Sequence, residues 1–196
     1  MAHLRPLENS EVDQELREMF EHYENTRGFC PNSVKTMARR PNISKVFGQL
    51  NQVILYEGSV PKELKMLVAL ASSLASGCRY CQSHMSNLSS IYKAPDEKIA
   101  AIWEFETSEL FTDAERAAIT IGIKGGTLPN EVSSEDFDAL KKYFDESQIV
   151  EIVATVALFG YLNRWNDTMA TELEELPTQV TERAVGHKGW DAGKHV

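Results

Sequence analysis

Apolar residues recur at three- and four-residue spacing through nearly the whole chain, and helix start and stop signals bound most of the runs. That pattern limits the fold more than any other feature, because helical spacing and strand alternation ask for different faces to be buried. From Ser10 to Thr26, the residues Val12, Leu16, Met19, Phe20 and Tyr23 share one face, and Ser10 with Asp13 resembles a capping pair. Gly28-Phe29-Cys30-Pro31-Asn32 breaks the pattern. A short helix is expected from Asn32 to Arg39, stopping before Pro41. Ile43, Val46, Phe47, Leu50, Val53 and Ile54 mark the next helix, from Asn42 to Tyr56, with Gly58 as its stop. Pro61 suits the first turn of a helix that runs through Leu64, Leu67, Val68, Leu70, Ala71 and Leu74 to about Ser76. Another continues to about Tyr92, and Pro95-Asp96 opens a short one. Thr112 with Glu115 forms a capping box for a helix from Asp113 to Lys124, closed by Gly125-Gly126. Ser133 with Asp136 opens a helix to Phe144, and the last long one is expected from Ser147 to Leu173. No strand alternation is visible, so the expected class is all-α.

Beyond Pro177 the chain is polar and carries Gly186, Gly189 and Gly193, so residues 177–196 are expected to wrap a neighbour or stay disordered. The chain also echoes itself. Glu63 precedes Cys78-Arg79-Tyr80-Cys81 by the same spacing as Gln148 precedes Asn163-Arg164-Trp165-Asn166. Both tetrapeptides read X-Arg-aromatic-X at the end of an apolar helix. The expectation is one domain, residues 1–196, with a helical unit of about 28–92 duplicated at about 112–173, chemistry being kept in the first copy.

That chemistry lies in Gly77-Cys78-Arg79-Tyr80-Cys81-Gln82-Ser83-His84. Two thiols stand three residues apart, and an imidazole follows the second by three. On a helix, positions three apart share a face, so Cys78, Cys81 and His84 can form one cluster. Thiolate is the reactive form of cysteine, and an imidazole can take its proton or stabilise its charge. The second thiol can capture an oxidised first thiol as a disulfide. The run therefore reads as a redox dithiol with a built-in base.

Composition narrows the alternatives. A formal net charge of -9 argues against a nucleic-acid partner, since phosphate binding needs a basic surface. No apolar run is long enough to span a membrane, and the start, Met1-Ala2-His3-Leu4-Arg5-Pro6, lacks a signal peptide's apolar stretch. A soluble, cytoplasmic protein is expected. Three cysteines, Cys30, Cys78 and Cys81, do not make a secreted disulfide framework, and a close pair in a reducing compartment points to catalysis or metal binding. No flavin, haem or nicotinamide motif is present, so no cofactor is expected and electrons must come from an external thiol or dithiol.

With those residues in hand, the chain resembles the alkylhydroperoxidase D-like, or carboxymuconolactone-decarboxylase-like, superfamily. Gly77 to His84 looks like its redox motif, and Gly28-Phe29-Cys30-Pro31-Asn32 looks like its Gly-x-x-Pro-Asn element. Thr112-Asp113-Ala114-Glu115-Arg116 and Asn163-Arg164-Trp165-Asn166 resemble its second half. The resemblance implies an all-helical fold, a homo-oligomer and reduction of hydroperoxides. By position, Cys81 would attack the peroxide and pass through a sulfenic acid, and Cys78 would be proton donor and resolving thiol. Family members place the histidine four residues after the second cysteine; here His84 is three after. They also carry a glutamate where this chain has Met66. Glu63 lies a turn earlier, roughly 22 Å from Cys78 along an unbroken helix at 1.5 Å per residue.

Other readings compete. A decarboxylase or lactone-processing enzyme of the same superfamily would not obviously need the cysteine pair. A redox sensor or scaffold would use the same residues but oxidise only once. Zinc needs four ligands and three are local, so His22, His187 or His195 would have to supply the fourth. The plainest reading makes the thiols buried small residues beside a satisfied histidine. Cys30 is expected as a buried hydrophobe, and Tyr80 and Trp165 as core aromatics. Arg79 and Arg164 can pair with carboxylates in the core or at an interface, and Glu172, Glu174 and Glu175 are expected to form a solvated face.

Overall fold

A computed structural model of the chain describes residues 2–196, and among them there are helices and no strands. Helix α1 spans Gln14–Arg27, α2 Asn32–Met37, α3 Pro41–Tyr56, α4 Lys62–Ala75 and α5 Arg79–Ile91. After the short α6, Asp96–Ala100, come α7 Asp113–Gly126, α8 Ser134–Leu140, α9 Glu146–Met169 and α10 Glu175–Val185. The all-α expectation is met, and none of these helices is long and apolar enough to cross a membrane.

The expected caps are in place. Thr112 and Ser133 each accept from the backbone N–H three residues on, and Glu115 and Asp136 return the bond. At the first helix the cap differs. Asp13, not Ser10, accepts the Leu16 N–H, and Ser10 lies in a single 3-10 turn, Asn9–Glu11. The largest departure is the C-terminal segment. It was expected to wrap a neighbour or stay disordered, but it forms α10, with Pro177 in its first turn and Val180 and Ala184 on the buried face. Helix α10 packs on α5 and α6.

Helix α4 is the axis of the molecule. Every residue from Leu64 to Ser73 is buried, with α5, α7 and α9 around it. On one side Leu67, Leu70, Phe159 and Ile119 join the main core; on the other Leu64, Val68, Ala118 and Ile152 form a second, smaller one. Two glycines of α7 allow the close approach to α4. A Cβ on Gly122 would stand 2.8 Å from the Val68 carbonyl oxygen, and one on Gly126 2.7 Å from that of Ser72. A charge enters this core. Lys65 is 1% exposed, and its Nζ donates to the Ile54 and Glu57 carbonyls and meets Glu151 of α9 at 2.8 Å. Glu151 also accepts the Ser59 and Val60 N–H groups, which anchors the turn before α4. Pairing and full hydrogen bonding are what make a buried ammonium tolerable.

Candidate active site

Gly77 ends α4 in the left-handed region, at φ +76°. The chain turns there, Cys78 becomes the N-cap of α5, and Cys81 sits in its first turn. The Cys78 N–H returns to the Ser73 carbonyl at 3.2 Å, holding the turn against the end of α4. All three predicted site residues are buried: Cys78 is 0%, Cys81 2% and His84 6% exposed. Both thiols are free.

The two sulfurs are not equivalent. Hydrogen bonding from the Cys81 side chain holds the Cys78 thiol below its ordinary range, and the Cys81 and Tyr80 backbone N–H groups add to the effect against burial. Burial pushes the Cys81 thiol well up, and the neighbouring Cys78 adds to this; the Asn166 amide works the other way. Asn166 Nδ2 of α9 donates to Cys81 Sγ at 3.4 Å. The pair's negative charge is therefore favoured on Cys78, at the helix N-terminus, while Cys81 keeps its proton until something removes it.

A carboxylate completes the site, and it is not one the sequence singled out. Glu174 lies in the link between α9 and α10. It was grouped with Glu172 and Glu175 as a solvated face, yet its side chain is only 11% exposed and its Oε2 lies 2.7 Å from His84 Nε2. Its Oε1 accepts from the Tyr80 hydroxyl at 2.9 Å and from the Asn32 N–H. Burial opposes the charge, but the His84 imidazole and the Asn32 N–H outweigh it and hold Glu174 below the usual carboxylate range. Glu172 and Glu175 are exposed. Glu63 plays no part here; it pairs with Lys98, which also binds Glu115.

His84 is fixed on three sides. It stacks on Tyr80 at 4.3 Å between ring centres, meets the edge of Phe29 at 5.5 Å, and is tied to Glu174. With the proton of Nε2 directed at the carboxylate, Nδ1 is the ring atom left to act as a base. Tyr80 is a core aromatic as expected, and it also accepts the Ser33 N–H at 3.2 Å. The Gly28-to-Asn32 element thus supplies Phe29 and a backbone donor at the start of α2.

The remaining candidates fall outside the pair. Cys30 is buried, and burial pushes its thiol up to about 12, so it is inert at neutral pH. Within the chain, Arg79 and Arg164 meet no carboxylate among the described residues. They donate instead to the Gln82 side chain and the Gly160 carbonyl. His195 is buried, with Nδ1 on the Thr171 carbonyl at 2.8 Å. Among the described residues no group of three or more His, Cys, Asp and Glu side chains is arranged to hold a metal.

A cavity of about 40 Å³ lies against Cys81 and His84, walled by apolar side chains including Phe47, Leu55, Phe159 and Leu162. Neither Cys78 nor Cys30 borders it.

The model of the carboxymuconolactone decarboxylase family matches residues 41–122. No curated protein matches the chain. Among solved structures, the apo debrominase Bmp8 is 36% identical, with 92% of this chain and 96% of that one covered and a TM-score of 0.84. A cysteine-to-alanine variant of Bmp8 in complex with 2,3,4-tribromopyrrole gives 35%, the same coverage and 0.85. An uncharacterized peroxidase-related protein from Ralstonia eutropha JMP134, described as an alkylhydroperoxidase AhpD core, is 22% identical over 90% of this chain and 94% of that one, with a TM-score of 0.79.

Proposed function

Given that the chain belongs to the carboxymuconolactone decarboxylase family of the alkylhydroperoxidase D-like superfamily, we propose that it is a dithiol oxidoreductase that reduces organic hydroperoxides through Cys81 and Cys78. The observation that carries this reading is the placing of Cys81. It alone of the three thiols faces the small cavity, beside a histidine that a buried glutamate holds.

The steps follow from the environments of the groups. His84 takes the Cys81 proton as substrate enters, and Glu174 stabilises the imidazolium that results. The Cys81 sulfur attacks the outer peroxide oxygen, the O–O bond breaks, and the alkoxide leaves as an alcohol with the proton from His84. Cys81 is now a sulfenic acid. Cys78, the thiol of the pair that ionises more readily, loses its proton to solvent and attacks the Cys81 sulfur. The S–S bond forms and hydroxide leaves as water with a proton from solvent. Thiol exchange with an external thiol or dithiol supplies two electrons and restores both thiols.

A second reading uses the same pair on a halogenated ring, and a specific observation favours it. The inner cavity is walled largely by apolar groups, and the chain is similar to a debrominase crystallised with a brominated pyrrole. Cys81 would take bromine from a ring carbon, the carbon would take a proton from His84, and Cys78 would displace bromide to leave the same disulfide.

Reduced protein given cumene hydroperoxide or a polybrominated pyrrole, with dithiothreitol as reductant, separates the two. Cumyl alcohol above the protein-free rate supports the first, bromide release the second. In either case, mass spectrometry without reductant should find the Cys78–Cys81 peptide two hydrogens lighter. Both residues remaining free thiols with both substrates overturns the dithiol reading. The proposal includes self-association through α3, where Val46, Leu50 and Val53 stand 63%, 50% and 57% exposed on one stripe. Light scattering should then give a mass well above the 22.0 kDa chain.

A further inference from the structure

The cavity at Cys81 adjoins a larger one and shares part of its lining. An outer chamber of about 660 Å³ opens between α1, α3 and α5, and Tyr23, Arg27, Asn51 and Leu88 line both chambers. These four residues form the neck. At about 40 Å³ the inner chamber has room for a few water molecules at most, one needing roughly 10–15 Å³ of such space. A hydroxyl or a single halogen fits there. The outer chamber has the size of a small-molecule site, roughly 300–1,000 Å³. The body of an organic substrate therefore stays outside the neck while its reacting end passes through.

The neck carries a cation that no carboxylate neutralises. Arg27 is the last residue of α1, half-buried, with its guanidinium carbon 4.8 Å from the Tyr23 ring centre and 5.5 Å from that of Tyr56. It donates to the Tyr56 hydroxyl. Burial pushes that phenol up to about 12, so it stays neutral near pH 7 and offers no charge in return. Across the same chamber Lys45 is paired, to Asp13 at 3.4 Å and Glu15 at 2.6 Å. In a chain with 29 acidic and 20 basic residues, carboxylates are in surplus, yet among the described residues none comes within ion-pair distance of Arg27. A guanidinium close to two aromatic rings, donating to a hydroxyl and to no carboxylate among the described residues, is suited to a planar anion. Tyr23, Tyr56 and Tyr92 give the chamber flat walls.

We propose that Arg27 is the substrate-orienting cation of this site: it binds the anionic group of a planar aromatic substrate at the neck and directs the reacting substituent into the inner chamber against Cys81. This rests on the dithiol reading of Cys81, but it is tested by binding alone, so that either can fail without the other.

Calorimetry on the reduced full chain with 2-bromobenzoate, whose carboxylate and bromine are adjacent, and its neutral isostere 2-bromobenzamide provides the test. Wild type should prefer the benzoate by about tenfold or more, the range of one hydrogen bond to a charged group. Arg27→Gln should bring the ratio close to one, and Arg27→Lys should keep part of the preference. A measurement that needs no variant runs beside it. The benzoate, and not the benzamide, should protect Arg27 from phenylglyoxal in a peptide map. Equal affinities in wild type, no binding of either probe, an unchanged ratio in Arg27→Gln, or no protection would each overturn the assignment.

Discussion

The start of α5 and the stretch of α9 eighty-five residues later carry the same sequence type in two backbone settings. Cys78-Arg79-Tyr80-Cys81 follows a break. Gly77, at φ +76°, ends one helix so that Cys78 caps the next and lies against N–H groups that have no intrahelical partner. Asn163-Arg164-Trp165-Asn166 lies inside a 24-residue helix, where those donors are spent on the preceding turn. The first setting can stabilise a thiolate and the second cannot. The second serves instead as support. Asn166 donates to Cys81, while both polar atoms of the Asn163 amide and the Asn166 carbonyl are buried without a partner among the described residues. The difference lies in the backbone break as much as in cysteine against asparagine.

The largest effect expected is at Cys81. Cys81→Ser should abolish turnover, whereas Cys78→Ser should leave Cys81 able to react once and accumulate a sulfenic acid that dimedone labels. Labelling at Cys78 in Cys81→Ser, with activity retained, would reverse the roles and remove the distinction between cap and first turn.

How much of this the sequence disclosed differs between the site's two halves. Cys78, Cys81 and His84 were legible because one helix supplies all three at three-residue spacing. Glu174 was not, since it comes from a non-helical link whose position depends on where α9 ends. The apolar pattern carried that helix on to Leu173, but it stops at Met169, with Ala170 in the left-handed region at φ 47°. Alanine gives no stop signal, so the acid run read as more helix surface. A usable signal was present in Pro177, a residue suited to a helix's first turn, with Val180 and Ala184 at helical spacing after it. The helix α10 that it opens fixes Glu174 from the far side. The two chambers were illegible for another reason: they lie between helices, and only the packing of those helices shows that Arg27 lines them.

The next effect tests that hidden half. Glu174→Gln should lower turnover by about 10²-fold, near the low end of what a positioned general base contributes. Alkylation of Cys81 by iodoacetamide near neutral pH should slow with it, and unchanged kinetics would make Glu174 structural. The charge also has an acid limit. Because Glu174 titrates below the usual range in the folded state, its contribution to stability is complete above the unfolded value of about 4.3 and is lost as pH falls through its depressed folded value. In Glu174→Gln that part of the acid transition should be missing from urea midpoints measured against pH.

The smallest effects bear most directly on the comparison, because they change the backbone and leave the chemistry alone. A Cβ at Gly77 would meet no atom within 4 Å, so Gly77→Ala isolates the left-handed conformation itself. Its cost should be about 1–2 kcal/mol. Gly160 lies inside α9, where a Cβ would make ordinary contact with the Arg164 guanidinium at 3.8 Å. There the helix has no break to preserve, and alanine limits the unfolded chain without straining the folded one. Gly160→Ala should therefore stabilise by about 0.5–1 kcal/mol. Urea denaturation of both variants gives the two signs in one experiment. Destabilisation at both positions would mean that α9 also depends on a local departure from regular helix, and the contrast between a broken reactive helix and a continuous supporting one would no longer hold.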